Sequence, residues 1–152
     1  MLEIIENQSL EIKNLFCFRG KVKQTDVNSI VKDMNEKLAQ VGAKRMGNPV
    51  NATFGVEGDC IDIEIMLPID KSIGDCDTYY YKEKIKIVNA VLASYIGHPR
   101  KIQEVCNKLN QYIIDNKLQP ITVGYNVTKM EAVLDIENTK LDIYVGINPN
   151  IL

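Results

Sequence analysis

One strand pattern occurs twice in this chain. Ile61-Asp62-Ile63-Glu64-Ile65-Met66-Leu67-Pro68 alternates aliphatic residues with a row that holds acids, and Leu141-Asp142-Ile143-Tyr144-Val145-Gly146-Ile147 does the same. Alternate side chains of a strand point to opposite faces, so each copy offers one wholly aliphatic face to a core. The other face carries Asp62, Glu64 and Met66 in the first copy, and Asp142 and Tyr144 in the second. Such a recurrence confines the chain to architectures built from two like units. An acid beside an aromatic on a sheet face also marks a place to hold a cation or a polar ligand.

The segments around the two strands repeat in the same order. Leu10 to Val22 reads as a strand closed by Gly20, and Ile85 to Ile96 as a long apolar strand closed by Gly97-His98-Pro99. Thr25 or Asp26 is placed to cap a helix with the stripe Val27, Ile30, Met34, Leu38 and Val41. Pro99 opens a second helix with the stripe Ile102, Val105, Leu109, Tyr112 and Ile113. Val50 to Val56 and Pro120 to Val127 are the next strands, and Glu57-Gly58-Asp59 is a hairpin turn into Cys60 to Pro68. Asp70 to Lys84 reads as a polar connector, and Thr128 to Thr139 as a turn-rich stretch before the strand Lys140 to Ile147. The helical stripes superpose at a shift of 75 positions, the acidic strands at 78 (Glu64 on Asp142) and the proline-led strands at 71 (Phe54 on Tyr125). The expected fold is therefore α+β: duplicated strand-helix-strand-strand units, about 10–68 and 85–147, forming one antiparallel sheet with two helices on one face. The other face is expected to be free, with a ligand pocket at its middle.

Composition narrows the function classes. At 152 residues the chain is expected to be a single domain, 1–152, able to bury a core without disulfides or metal. Its formal charge of −2 comes from acids and bases mixed along the sequence with no basic block, so direct nucleic-acid binding is not expected. The longest apolar run, Ile85 to Ile96, is too short to span a bilayer. Acids at Glu3 and Glu6 stand where a signal peptide would carry lysines, which points to the cytoplasm. Cys17, Cys60, Cys76 and Cys106 are widely spaced and read as small apolar residues. With one histidine and no clustered cysteines, no metal site is expected, and no glycine-rich phosphate loop or other cofactor motif occurs.

Four segments together resemble the GyrI-like family, also called the bacterial transcription-activator effector-binding domain. They are Asp62 to Pro68, Tyr95-Ile96-Gly97-His98-Pro99, Pro120 to Tyr125, and Asp142-Ile143-Tyr144-Val145. The resemblance covers Leu10 to Ile147 and implies a central pocket for lipophilic, often cationic molecules. There a carboxylate on the last strand, among tyrosines, reads the charge. That position falls on Asp142. The family more often has glutamate there with a proline a few residues on, whereas this chain has Asp142 and then Gly146. The longer arm belongs to Glu64, in the first copy. Many relatives carry a fused helix-turn-helix, whereas here the first strand is expected to begin within about ten residues of Met1 and leave no room for one, so a stand-alone domain is expected.

The candidate ligand-binding residues are thus Glu64 and Asp142 for charge, with Tyr144, Tyr125, Tyr95, Phe54, Met66 and Phe18 shaping the cavity. Tyr79, Tyr80 and Tyr81 cannot all be buried on one face, and one or two of them are candidates to close over a pocket. His98 sits in a turn with no Ser or Cys nearby in sequence to activate, so no catalytic residue is assigned. The leading expectation is a binding module for a small lipophilic or cationic ligand. The alternatives are a hydrolase of reactive small molecules that uses a pocket carboxylate as base, and a protein-interaction modulator such as a gyrase inhibitor.

Overall fold

The computed structural model describes residues 1–75, 78–128 and 139–148. Its strands are β1 (Leu2–Lys23), β2 (Val50–Glu57), β3 (Cys60–Pro68), β4 (Tyr80–Gly97), β5 (Pro120–Thr128) and β6 (Thr139–Ile147). Its helices are α1 (Val27–Gln40) and α2 (Ile102–Asp115). Cys76, Met130 and most of the turn-rich stretch lie outside the described residues. The chain divides into two compact units, a first of Glu11–Ile85 and a second of Met1–Leu10 with Lys86–Leu152.

In the first unit β3 is central. It pairs antiparallel with β1 on one side and with β2 on the other. Ile61, Ile63, Ile65 and Leu67 of β3 and Phe16 of β1 form one core with Met34 and Leu38 of α1. In the second unit β6 is central, between β4 and β5. Leu141, Ile143, Val145 and Ile147 of β6 and Val91, Ala93 and Tyr95 of β4 form its core with Val105, Leu109 and Ile113 of α2. Each unit is therefore strand, helix, strand, strand, with an antiparallel three-stranded sheet and one helix on its aliphatic face. The α+β expectation holds, and the two acidic strands are the centre strands of their units.

The pairing registers support part of the sequence superposition and correct another. Glu64 is flanked by Arg19 and Ala52, and Asp142 by Ser94 and Val127. Both flanking pairs differ by 75 positions and the acids by 78, so Glu64 and Asp142 occupy like register positions on the centre strands of their units. Phe54 and Tyr125 are not equivalent. Tyr125 pairs with Tyr144 as Val50 pairs with Met66, whereas Phe54 sits where the β2 register slips between Thr53 and Gly55. A bulge residue has no partner across the ladder, so the 71-position superposition breaks there.

Two strands are longer than their hydrophobic runs. β1 begins at Leu2 and β4 at Tyr80, so Tyr80 to Lys84 is strand rather than connector. The helix starts also differ from expectation. A single 3-10 turn precedes each helix, Gln24–Asp26 and Pro99–Lys101. Asp26 occupies the cap position of α1 but makes no cap hydrogen bond through its side chain. Ahead of α2, His98 Nδ1 accepts the backbone N–H of Arg100 at 3.0 Å, so this histidine is a cap. α1 ends with Gly42 at φ +72°, a left-handed conformation that glycine adopts without a Cβ penalty.

Candidate functional site

The acid-bearing face of the first unit is buried, not free. Across β1, β3 and β2 it presents Cys17, Met66 and Val50 in one row, and Arg19, Glu64 and Ala52 in the next. Cys17, Met66, Val50 and Ala52 are fully buried and Glu64 is only 5% exposed. A carboxylate on such an apolar floor carries a large desolvation cost unless partners offset it. Two come from the start of β4. Tyr80 donates its phenol hydrogen to Glu64 Oε2, and Lys82 Nζ lies 3.0 Å from the same oxygen.

The three consecutive tyrosines divide by strand alternation. Tyr79 packs against Phe16 and Phe18 on the helix side and donates to the Asp33 carboxylate of α1. Tyr81 packs on that side too and donates to Asn14 Oδ1. Asn14 holds a φ of 57°, which asparagine tolerates better than most residues. Tyr80 alone reaches the acid.

The charges on this face perturb one another. Burial, then the nearby Glu64 carboxylate, pushes the Cys17 thiol up to about 12, with the Lys82 ammonium opposing. Burial, then the hydrogen bond to Glu64, holds the Tyr80 phenol well above its ordinary value. At the edge of the face Arg19 grips Asp62 with two hydrogen bonds of 3.0 and 3.2 Å. That grip draws the Asp62 carboxyl below the usual carboxylate range. The Arg19 guanidinium also lies 3.6 Å from the centroid of Phe54, a cation–π contact. Phe54 is 40% exposed and borders a groove of about 260 Å³ with Lys21, Ile61 and Asp62.

The equivalent face of the second unit is centred on Asp142, which is 1% exposed and stands in register between Ser94 and Val127. Tyr144 and Tyr125 are half-buried and paired across β6 and β5. Gly146 N–H donates to Thr122 Oγ1 at 2.8 Å, and a Cβ on Gly146 would lie 2.8 Å from Thr122 Cγ2. That close approach explains the glycine.

Of the expected residues, the structure brings Glu64 and Met66 together on one buried face and sets Phe54 at its rim. It groups Asp142, Tyr144 and Tyr125 on the equivalent face of the other unit. Two differ in position. Tyr95 packs in the α2 core and donates to the His98 carbonyl at 3.1 Å. Phe18 packs on the α1 side against Tyr79. Both share the aliphatic face of their strands. Tyr80 is one of the three tyrosines among which the sequence offered a residue to close over a pocket, whereas Lys82, Arg19 and Cys17 are site residues that sequence reasoning missed. Period-two counting back from Ile85 would have set Tyr80 and Lys82 on one face. Among the described residues no group of three His, Cys, Asp or Glu is placed to hold a metal ion, and no helix is long and apolar enough to cross a membrane.

No family model and no curated protein matches the chain in sequence. Solved structures do resemble it. The C-terminal domain of EcmrR superposes with a TM-score of 0.79 at 11% identity, over 97% of each chain. EcmrR in its complex with DNA gives 0.80 at 12% identity over 97% of this chain, which spans 57% of the EcmrR chain. A hydrolase from Listeria innocua gives 0.61 at 12% identity, over 97% of this chain and 91% of that one. SAV2435 bound to tetraphenylphosphonium gives 0.55 at 7% identity, over 98% and 94%. At these identities the likeness shows the fold.

Proposed function

We propose that this chain is a small-molecule-binding domain of the GyrI-like, effector-binding type, and that it takes a lipophilic organic cation over the acid-bearing face of the first unit. The observation that carries this reading is Glu64, a carboxylate on a floor of Cys17, Val50, Ala52 and Met66. A charge held in low dielectric attracts an incoming cation more strongly than one in water, and the apolar floor suits a ligand with little polar surface. Tyr80 orients the carboxylate through its hydrogen bond. The ring of Phe54 supplies an aromatic rim, and Asp142 with Tyr144 and Tyr125 offers a second acid-and-aromatic set in the other unit. Two likenesses support the reading. The fold is that of the EcmrR C-terminal domain, and SAV2435, of similar fold, binds tetraphenylphosphonium. A link to transcriptional control follows the EcmrR comparison.

Titration calorimetry with tetraphenylphosphonium tests it. Glu64→Gln weakens binding by about 1–3 kcal/mol, the cost of removing a desolvated charge partner. Asp142→Asn weakens it less. Unchanged affinity in both variants, or no binding to the unmodified chain, overturns the reading.

A further inference from the structure

Glu64 already has a cation. The Lys82 ammonium sits 3.0 Å from Oε2, and the two side chains are unequal in exposure, 33% for Lys82 against 7% for Glu64. The carboxylate is fixed on the central strand of its sheet, whereas the ammonium ends a flexible four-carbon stem that already reaches solvent. The other nearby cation, Arg19, is engaged by Asp62 and stacked on Phe54. Lys82 is therefore the group that can leave, and Tyr80 remains as a donor to the carboxylate when it does.

We infer that Lys82 is a built-in competitor for the ligand's charge, so that an organic cation binds Glu64 by exchanging places with the Lys82 ammonium. This rests on the reading of Glu64 as the cation seat and adds a selection rule to it. The free energy of exchange is a difference between two ion pairs plus a difference in hydration. A lysine ammonium is compact and strongly hydrated, so its release to water is favourable. A ligand with a bulky, weakly hydrated onium centre gives up little water to enter. A primary alkylammonium gives up as much water as Lys82 regains and gains nothing from the swap. The chemical class selected is thus the onium with buried charge, such as a tetraarylphosphonium or quaternary ammonium.

The test uses tetraphenylphosphonium and the full chain. Lys82→Met keeps the apolar stem and removes the competitor, so it binds the probe about five- to ten-fold more tightly than the unmodified chain. Lys82→Arg, which keeps the charge and adds a forked donor, shows no gain. In a Glu64→Gln background Lys82→Met gains nothing. Equal affinity of the unmodified chain and Lys82→Met overturns the exchange and leaves the Glu64 reading standing. A gain of the same size in the Glu64→Gln background also overturns it, since the effect then does not pass through Glu64. Binding by neither protein overturns both. Should Lys82→Met fail to fold, Lys82→Gln takes its place. Lysine ammonium NMR provides a reading without any variant: the hydrogen-bonded Lys82 signal is lost on saturation with the probe, and its persistence there overturns the exchange.

Discussion

Cys17 shows how far one residue's surroundings shift its chemistry. Its thiol is fully buried on the same face as Glu64 and ionises near 12 rather than at the ordinary 9.0. The unfolded chain loses that proton at the ordinary value, so between the two values deprotonation favours unfolding. The stabilisation is complete below pH 9 and declines above it by about 1.4 kcal/mol per pH unit. Urea denaturation at pH 8 and pH 10 reads this, with the unmodified chain losing about 1–2 kcal/mol more over that interval than Cys17→Ala. At this scale the sequence exposed the acids, because Asp62, Glu64 and Asp142 interrupt aliphatic alternation. It did not expose Lys82, whose charge is satisfied by a partner 18 residues away that no local pattern reveals. Tyr95 was misplaced for a related reason. Both parities of Ile85 to Ile96 are largely apolar, so alternation alone does not say which side faces α2.

Elements carry their own signals, chiefly at their ends. β3 was legible to the residue, since its aliphatic row is bounded by a glycine turn and a proline. The start of β4 was not, because Tyr80 to Lys84 is polar enough to read as a loop while one of its faces is engaged by Glu64. The entry to α2 is a sharper case. His98 accepts the Arg100 N–H ahead of the 3-10 turn, and Pro99 occupies a first-turn position where no N–H is needed. His98→Ala removes that acceptor and lowers stability by about 0.5–2 kcal/mol, while His98→Asn retains most of it. Thermal unfolding of the two variants side by side measures the difference.

At the scale of the molecule, each unit folds its own helix onto its own aliphatic sheet face, and β1 and β4 each contribute residues to both units. Leu38→Ala in the first core and Ile113→Ala in the second each cost about 2–5 kcal/mol. Both lower the midpoint of a single denaturation transition, followed by far-ultraviolet circular dichroism. Two separate transitions would show that the units are thermodynamically independent. The like order of elements in the two units was legible in the sequence because the helix stripes and acidic strands each keep a constant spacing, and the match is blurred where β2 bulges at Phe54 and the β5 register slips between Pro120 and Gly124. The hydrogen bond from Tyr80 to Glu64 has one more consequence, an optical one. The chain has seven tyrosines and no tryptophan, so its ultraviolet emission comes from phenols alone. A phenol bonded to a carboxylate is a dim emitter, because its excited state sheds the proton to the acceptor. Tyr80 keeps that bond when Lys82 leaves, so an organic cation seated beside Glu64 alters the acceptor without removing it, and the emission of this one phenol shifts with the state of the acid.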